Sequence, residues 1–292
     1  YGIISGAVLL GNPDIINTKA KDLDIDISKC DIIDPKNNDK IEEFAGMFYE
    51  LRKHKGISLN DAKKTVTQNL VFAGLLTRSQ VVHGFIGGSI NTTGDTVRAA
   101  LYTLGLKKGI STLSSFFIIN VPDCEYGDNG LFLFADCAVI PDPSPRQIAN
   151  ITRSTSLAYK NLFNKTARCA LLSYSTKGSA QGSSVDKMRK ALLIINEKYA
   201  DLIVDGEMQL DSAIVPEIAK RKMQQSPVSG NANVLIFPDL TSGNISYKLA
   251  QRLAKADAVG PILTGLAYPA NDLSRGCNVS DIISVTAVTV LQ

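Results

Sequence analysis

The stretch 233–263, NVLIFPDLTSGNISYKLAQRLAKADAVGPIL, decides the fold. An aliphatic run over 233–237 stops at Pro238, a helical pattern follows over 243–255, and a second apolar run covers 258–263. Short apolar runs bounded by Gly and Pro read as buried strands, and strands alternating with helices of this length mark an α/β protein with mainly parallel sheets and helices on both faces. The alternation extends outward along almost the whole chain. Further strands are expected at 3–11, 31–34, 81–86, 112–121, 131–140, 167–173 and 202–204. Ile41, Phe44, Ala45, Phe48 and Leu51 form a stripe of period 3.6, and that helix ends in Arg52-Lys53-His54-Lys55 before Gly56, a favourable C-terminal charge and cap. Other helices are expected at 58–76, 93–104, 145–163, 184–198, 212–223 and 280–291. The best internal breaks, 105–111 and Gly260-Pro261, give a first domain of 1–108 with 262–292 and a second domain of 109–261 inserted into it.

With 292 residues the chain has room for two domains, and 45% apolar with 20% charged residues is ordinary globular composition, unlike collagen, coiled coil or low-complexity sequence. Thirty-one basic against 28 acidic residues leave a net charge of +3, too small for the polybasic field that nucleic-acid binding requires. Five scattered cysteines, Cys30, Cys124, Cys137, Cys169 and Cys277, contain no C-x-x-C, so the reading is a reducing, cytoplasmic compartment with neither disulfide framework nor zinc ribbon. Two histidines cannot build a His-rich metal site, and no metal is expected. No apolar run approaches ~20 residues, so no membrane span is expected. The opening Tyr1 to Leu10 lacks a basic leader and reads as a chain entering in mid-domain, with a natural N-terminal segment missing.

The usual phosphate loop, dinucleotide fingerprint and nucleophile elbow are absent. Gly84-Phe85-Ile86-Gly87-Gly88-Ser89 joins a strand to a helix and reads either as an anion-facing loop or as a tight turn needing positive φ. The stretch 173–180, SYSTKGSA, follows a strand, where open α/β sheets collect ligands. Its hydroxyls and Lys177 suit a phosphoryl group or, equally, a solvated connector. The stretch 271–281, NDLSRGCNVSD, is the densest polar segment, read as lying between the last strand and the last helix. Arg275 offers a planar fork for phosphate, while Asp281 in the first helical turn, with Ser280 as N-cap, is also what a capped helix start looks like. Arg98, three residues after Asp95, reads as a surface ion pair; Arg52 reads as a helix C-terminal cation. His54 and His83 read as surface and strand-end residues, and Cys277 lacks the histidine a nucleophile would want.

Taken in order, 233–240, 243–253 and 271–276, together with 92–98, 173–180 and 205–211, resemble phosphate acetyltransferase (phosphotransacetylase) along essentially the whole chain. The resemblance implies a two-domain fold like that of isocitrate and isopropylmalate dehydrogenases, an active site in the interdomain cleft, and a homodimer. It implies reversible acetyl transfer from acetyl phosphate to coenzyme A, with CoA as substrate, phosphate as product and no resident cofactor. By matching positions, Asp281 is the expected base for the CoA thiol, Arg275 the phosphate contact and Ser274 their hydroxyl partner. Arg52 and Arg98 fall where the family carries CoA-associated arginines, and Ser175, Thr176, Lys177 and Asn244 are the remaining expected substrate contacts. A thiol near ~8.5 and a carboxylate near ~4 are poorly matched, so either a site raises the acid or cations lower the thiol. Val81 to Gly88 departs from the family's usual Ala-Asp-Gly-type segment, and His83 stands where an acid is common. The rival readings are phosphate butyryltransferase, a non-catalytic acetyl-CoA-sensing domain like that of some malic enzymes, and a metal-dependent decarboxylating dehydrogenase.

Overall fold

Residues 2–292 are described in the computed structural model, and they divide into two units: residues up to Lys107 with Leu266–Gln292, and Lys108–Gly265. The second break falls after Gly265 rather than at 261–262, because Asp257–Thr264 is one continuous strand.

The first unit opens with β1 (Ala7–Leu10), α1 (Pro13–Asp22) and β2 (Cys30–Ile33), the two strands pairing in parallel. The expected strand 3–11 shrinks to the residues that β2 can pair. Helix α1 has Asn12 as N-cap and Pro13 at its start but buries nothing, so no apolar stripe announced it. Then come α2 (Ile41–Arg52), α3 (Leu59–Val66), α4 (Asn69–Arg78), β3 (Phe85–Gly88) and α5 (Thr93–Thr103). The helix expected over 58–76 is two helices: Thr67 turns its hydroxyl back onto the Lys64 carbonyl at 2.8 Å and Gln68 is extended. Strand β3 starts late because the Val81 N–H bonds back to the Leu76 carbonyl at 3.0 Å. Phe44, Phe48, Phe72 and Leu75 form the core of this unit.

The second unit runs β4 (Ser114–Asn120), α6 (Tyr126–Asn129), β5 (Leu131–Ala135), α7 (Pro145–Phe163), β6 (Arg168–Leu172), α8 (Ser183–Lys198), β7 (Ile203–Met208), α9 (Leu210–Ile214), α10 (Pro216–Lys222), β8 (Val234–Ile236), α11 (Leu240–Leu253) and β9 (Asp257–Thr264). The helix expected over 212–223 divides at Val215, which Pro216 holds extended. The sheet order is β7-β6-β8-β5-β4-β9, and β4 is antiparallel to both its neighbours, so it alone runs against the other five. Alternate strand residues bury on opposite faces. Phe117, Phe132 and Phe134 pack with Tyr247 of α11 in one cluster, while Leu133 and Ala135 are fully buried on the other face, where α7 lies against β5.

The chain then returns to the first unit with β10 (Ala270–Leu273) and α12 (Val279–Leu291); β10 pairs in parallel with β3, Asp272 opposite Gly87 and Leu273 opposite Gly88. This corrects the sequence reading of 271–273 as polar loop. Asn271 and Asp272 are both 0% exposed, and their polarity hid a buried strand.

Candidate active site

In the first unit β10 ends directly at Ser274 and Arg275, both exposed. A turn follows in which the Cys277 N–H donates to the Ser274 carbonyl at 3.1 Å. The N-cap of α12 is Asn278, not Ser280: its side chain accepts from the Asp281 N–H at 3.0 Å, and Asp281 Oδ2 accepts from the Asn278 N–H at 2.8 Å. This reciprocal box holds Asp281 three residues into the helix, beside a favourable dipole. Among the described residues Arg275 forms no ion pair, and neither the Ser274 hydroxyl nor Asp281 Oδ1 makes a hydrogen bond, so the turn after β10 carries a free cation and hydroxyl and the first turn of α12 a free carboxylate oxygen.

The arginines expected for CoA both relate to α5. Arg98 lies on it, exposed and paired with Asp95 at 2.9 Å, and Asp95 also closes the capping box with Thr92. The Arg52 guanidinium stacks on the Tyr102 ring of α5 at 3.8 Å. Thr93, in the first turn of α5, donates to the buried Asp272 of β10 at 2.6 Å, which ties this helix to the strand that leads to Ser274.

In the second unit the stretch 173–182 between β6 and α8 closes around its own polar groups. The Ser175 hydroxyl, 0% exposed, donates to Glu207 at 2.8 Å, and Thr176 Oγ1 accepts from the Gln209 N–H at 3.0 Å. The Lys177 ammonium pairs with Asp205 and donates to the Gly206 carbonyl at 3.1 Å, yet its side chain remains 40% exposed. Asn244, on α11, donates to the Cys137 carbonyl at 3.1 Å. Glu207 is the hub: besides Ser175 it accepts from the Gly178 N–H at 2.9 Å and from Arg189 Nε at 2.9 Å and Nη2 at 3.1 Å. Burial alone would raise its carboxyl, but these donors outweigh burial and hold it at about 2. Among the described residues no three His, Cys, Asp or Glu side chains gather as a metal ion needs, and no helix is long and apolar enough to cross a membrane.

The model of the phosphate acetyl/butaryl transferase family matches residues 2–290. This chain belongs to that family. It is 49% identical over 289 residues to the phosphate acetyltransferase of Thermoanaerobacterium thermosaccharolyticum, covering 99% of this chain and 88% of the relative. It is 48% identical over 285 residues to that of Clostridium acetobutylicum, covering 98% and 86%. A crystal structure of a phosphotransacetylase from Streptococcus pyogenes superposes with a TM-score of 0.89 at 39% identity, covering 97% of this chain and 84% of that one. The chain is thus an acyltransferase of the phosphate acetyl/butaryl transferase family. Sequence reasoning passed over Thr93, Arg189, Glu207 and Asp272. No local signal marked them: Asn271-Asp272 reads as polar loop, and Glu207 falls beyond the strand expected at 202–204.

Proposed function

We infer that this chain catalyses reversible acetyl transfer between acetyl phosphate and coenzyme A. The observation that carries the reading is the family match over nearly the whole chain, with relatives named for this activity. In the forward direction the thiol sulfur attacks the acetyl carbonyl carbon. A C–S bond forms, the C–O bond to phosphorus breaks, and phosphate leaves with the electron pair. Asp281 takes the thiol proton through Oδ1, the oxygen that its capping bond leaves open. Arg275, exposed and without an ion pair among the described residues, neutralises the charge growing on phosphate, and Ser274 donates a hydrogen bond beside it. Arg52 and Arg98 hold anionic parts of CoA; their aromatic and carboxylate partners orient them without burying them. Within the second unit, Lys177 and Asn244 are offered as substrate contacts, and Ser175 and Thr176 contribute by shaping the loop. Neither bond changes oxidation state, so the reading needs no redox cofactor, and no metal is invoked. We place the enzyme in the cytoplasm as a homodimer. Supporting a dimer, α11 leaves Ile245, Leu249 and Leu253 at 53%, 51% and 78% exposure in one stripe at i, i+4 spacing.

The test mixes purified protein with acetyl phosphate and CoA, without metal or nicotinamide, and follows thioester absorbance. Rapid thioester formation is expected, with Asp281→Asn slower by about 10²–10⁴-fold, the span typical of a lost general base. No thioester from folded protein would overturn the activity, and an unchanged rate in Asp281→Asn would overturn the role of that residue. Butyryl phosphate run beside acetyl phosphate is expected to be the poorer substrate.

A further inference from the structure

Asp272 is the anomaly of the first unit. It is 0% exposed, and among the described residues it forms no ion pair. Oδ2 accepts from Thr93 at 2.6 Å; among the described residues neither Oδ1 nor the buried Thr96 hydroxyl makes a hydrogen bond of ordinary geometry, although Thr96 and the Leu273 N–H lie near enough to favour the charged form. Burial raises its carboxyl above the ordinary value, and the threonine and backbone donors oppose this only in part. A buried carboxylate with one firm hydrogen bond costs stability that an amide or an apolar side chain would not.

The backbone around it is shaped to bring α5 close. A Cβ on Gly87 would stand 2.9 Å from Thr96 Cγ2, and one on Gly88 would stand 2.2 Å from the Leu273 carbonyl and 2.7 Å from Asp272 Oδ1. Two side-chain-free residues of β3 therefore let α5, β3 and β10 meet at the carboxylate. On the α5 side of that contact the helix runs on to Arg98. On the β10 side the chain reaches Ser274 two residues later and Arg275 three residues later.

We propose that Asp272 is a positioning residue for the transfer reaction, its buried carboxylate clamping the first turn of α5, the helix whose second turn carries Arg98, to the strand end that presents Ser274 and Arg275. The clamp stands on this geometry, whereas its kinetic consequence rests on the transferase reading above. Releasing it lets two parts of the charge constellation drift relative to each other, a small displacement to which group transfer is sensitive.

Three variants test it: Asp272→Ala, Thr93→Val and the pair together, with Asp272→Asn as the conservative control. Rates are measured with acetyl phosphate and CoA varied separately, melting curves confirm folding, and hydrogen exchange is followed at 93–98 and 273–278. Each single variant is expected to lower kcat/KM by about 10–100-fold, as displaced groups do. The double variant should be no worse than Asp272→Ala, since both changes break one contact. Asp272→Asn should stay within about threefold of wild type, because its amide oxygen still accepts from Thr93. Exchange should quicken in both segments together in either single variant. Unchanged kinetics in a folded Asp272→Ala, additive losses in the double variant, or Asp272→Asn as poor as Asp272→Ala would each overturn the clamp. If wild type makes no thioester the transferase reading falls, and the paired exchange response still decides whether the clamp exists.

Discussion

Glu207 under the 173–182 loop and Asp272 on the strand that leads into 274–278 are two buried acids in two units, and their surroundings treat them oppositely. Glu207 collects Ser175, the Gly178 N–H and both arms of Arg189, whereas Asp272 collects Thr93 and, among the described residues, no cation. The first carboxyl is held at about 2 and the second is raised. One buried acid is thus fully supplied with donors and the other is held at a cost in stability, and the difference lies in whether donors were brought to the buried charge. The loop over the satisfied acid has its hydroxyls and ammonium already engaged. Past the less satisfied acid, Ser274, Arg275 and, in the first turn of α12, Asp281 Oδ1 stand open among the described residues.

The two regions differ most visibly at glycine. Gly88 and Gly178 have nearly the same φ, +94° and +92°, but a Cβ on Gly88 meets Leu273 backbone at 2.2 Å while one on Gly178 meets nothing nearer than Arg189 Nη2 at 3.7 Å. Gly88→Ala is expected to lose about 3 kcal/mol or more, strain plus overpacking, and Gly178→Ala only about 1–2 kcal/mol from backbone strain. Denaturant unfolding measures both, and equal losses would show that φ alone governs the two sites.

Removing the charge from Glu207 comes next. Glu207→Gln is expected to cost about 2 kcal/mol, below the 3–5 of a fully buried pair because Arg189 is partly exposed. Its pH dependence is set by the fall from 4.5 to about 2. This stability is complete above the unfolded value and disappears as pH drops through the folded one. Wild type should therefore lose its advantage over Glu207→Gln between about pH 4.5 and 2 in melts across that range.

Asp272→Asn is the smallest effect and has the opposite sign. The amide can keep the Thr93 bond and turn its NH₂ toward the buried Thr96 hydroxyl, so about 1 kcal/mol of added stability, a rise of roughly 2–4 °C, is expected at pH 7. Because the folded carboxyl is raised, its penalty is present at high pH and absent once the group is protonated. The gain should shrink to nothing as pH falls below the ordinary 3.8. A variant less stable than wild type at pH 7 would mean that the carboxylate is better satisfied than its hydrogen bonds indicate.

Much of the framework was legible along the chain. Helix α7 occupies the expected 145–163 because its signals are local: Ser144 and Gln147 form a capping box, Pro145 starts the helix and Asn164 ends it in a left-handed conformation. The exposed run Ser274-Arg275 and the helix start at Asp281 were legible for the same reason. Strand β10 was not, since Asn271 and Asp272 are polar by type and buried by packing, and α1 was not, since it buries no face. The reversal of β4 within its sheet left no trace in its own composition, which reads the same in either direction.

By itself the sequence determined the alternation of strands and helices, the caps, the family resemblance and the exposed loop chemistry, all written within a few turns of chain. Tertiary structure decided which strands neighbour which and which buried acid is satisfied. Ser175 reaches Glu207 across 32 residues and Thr93 reaches Asp272 across 179, separations over which local pattern carries no information about pairing. The free energy of a buried charge depends on the few donors within hydrogen-bond reach, and only the folded chain says which donors those are.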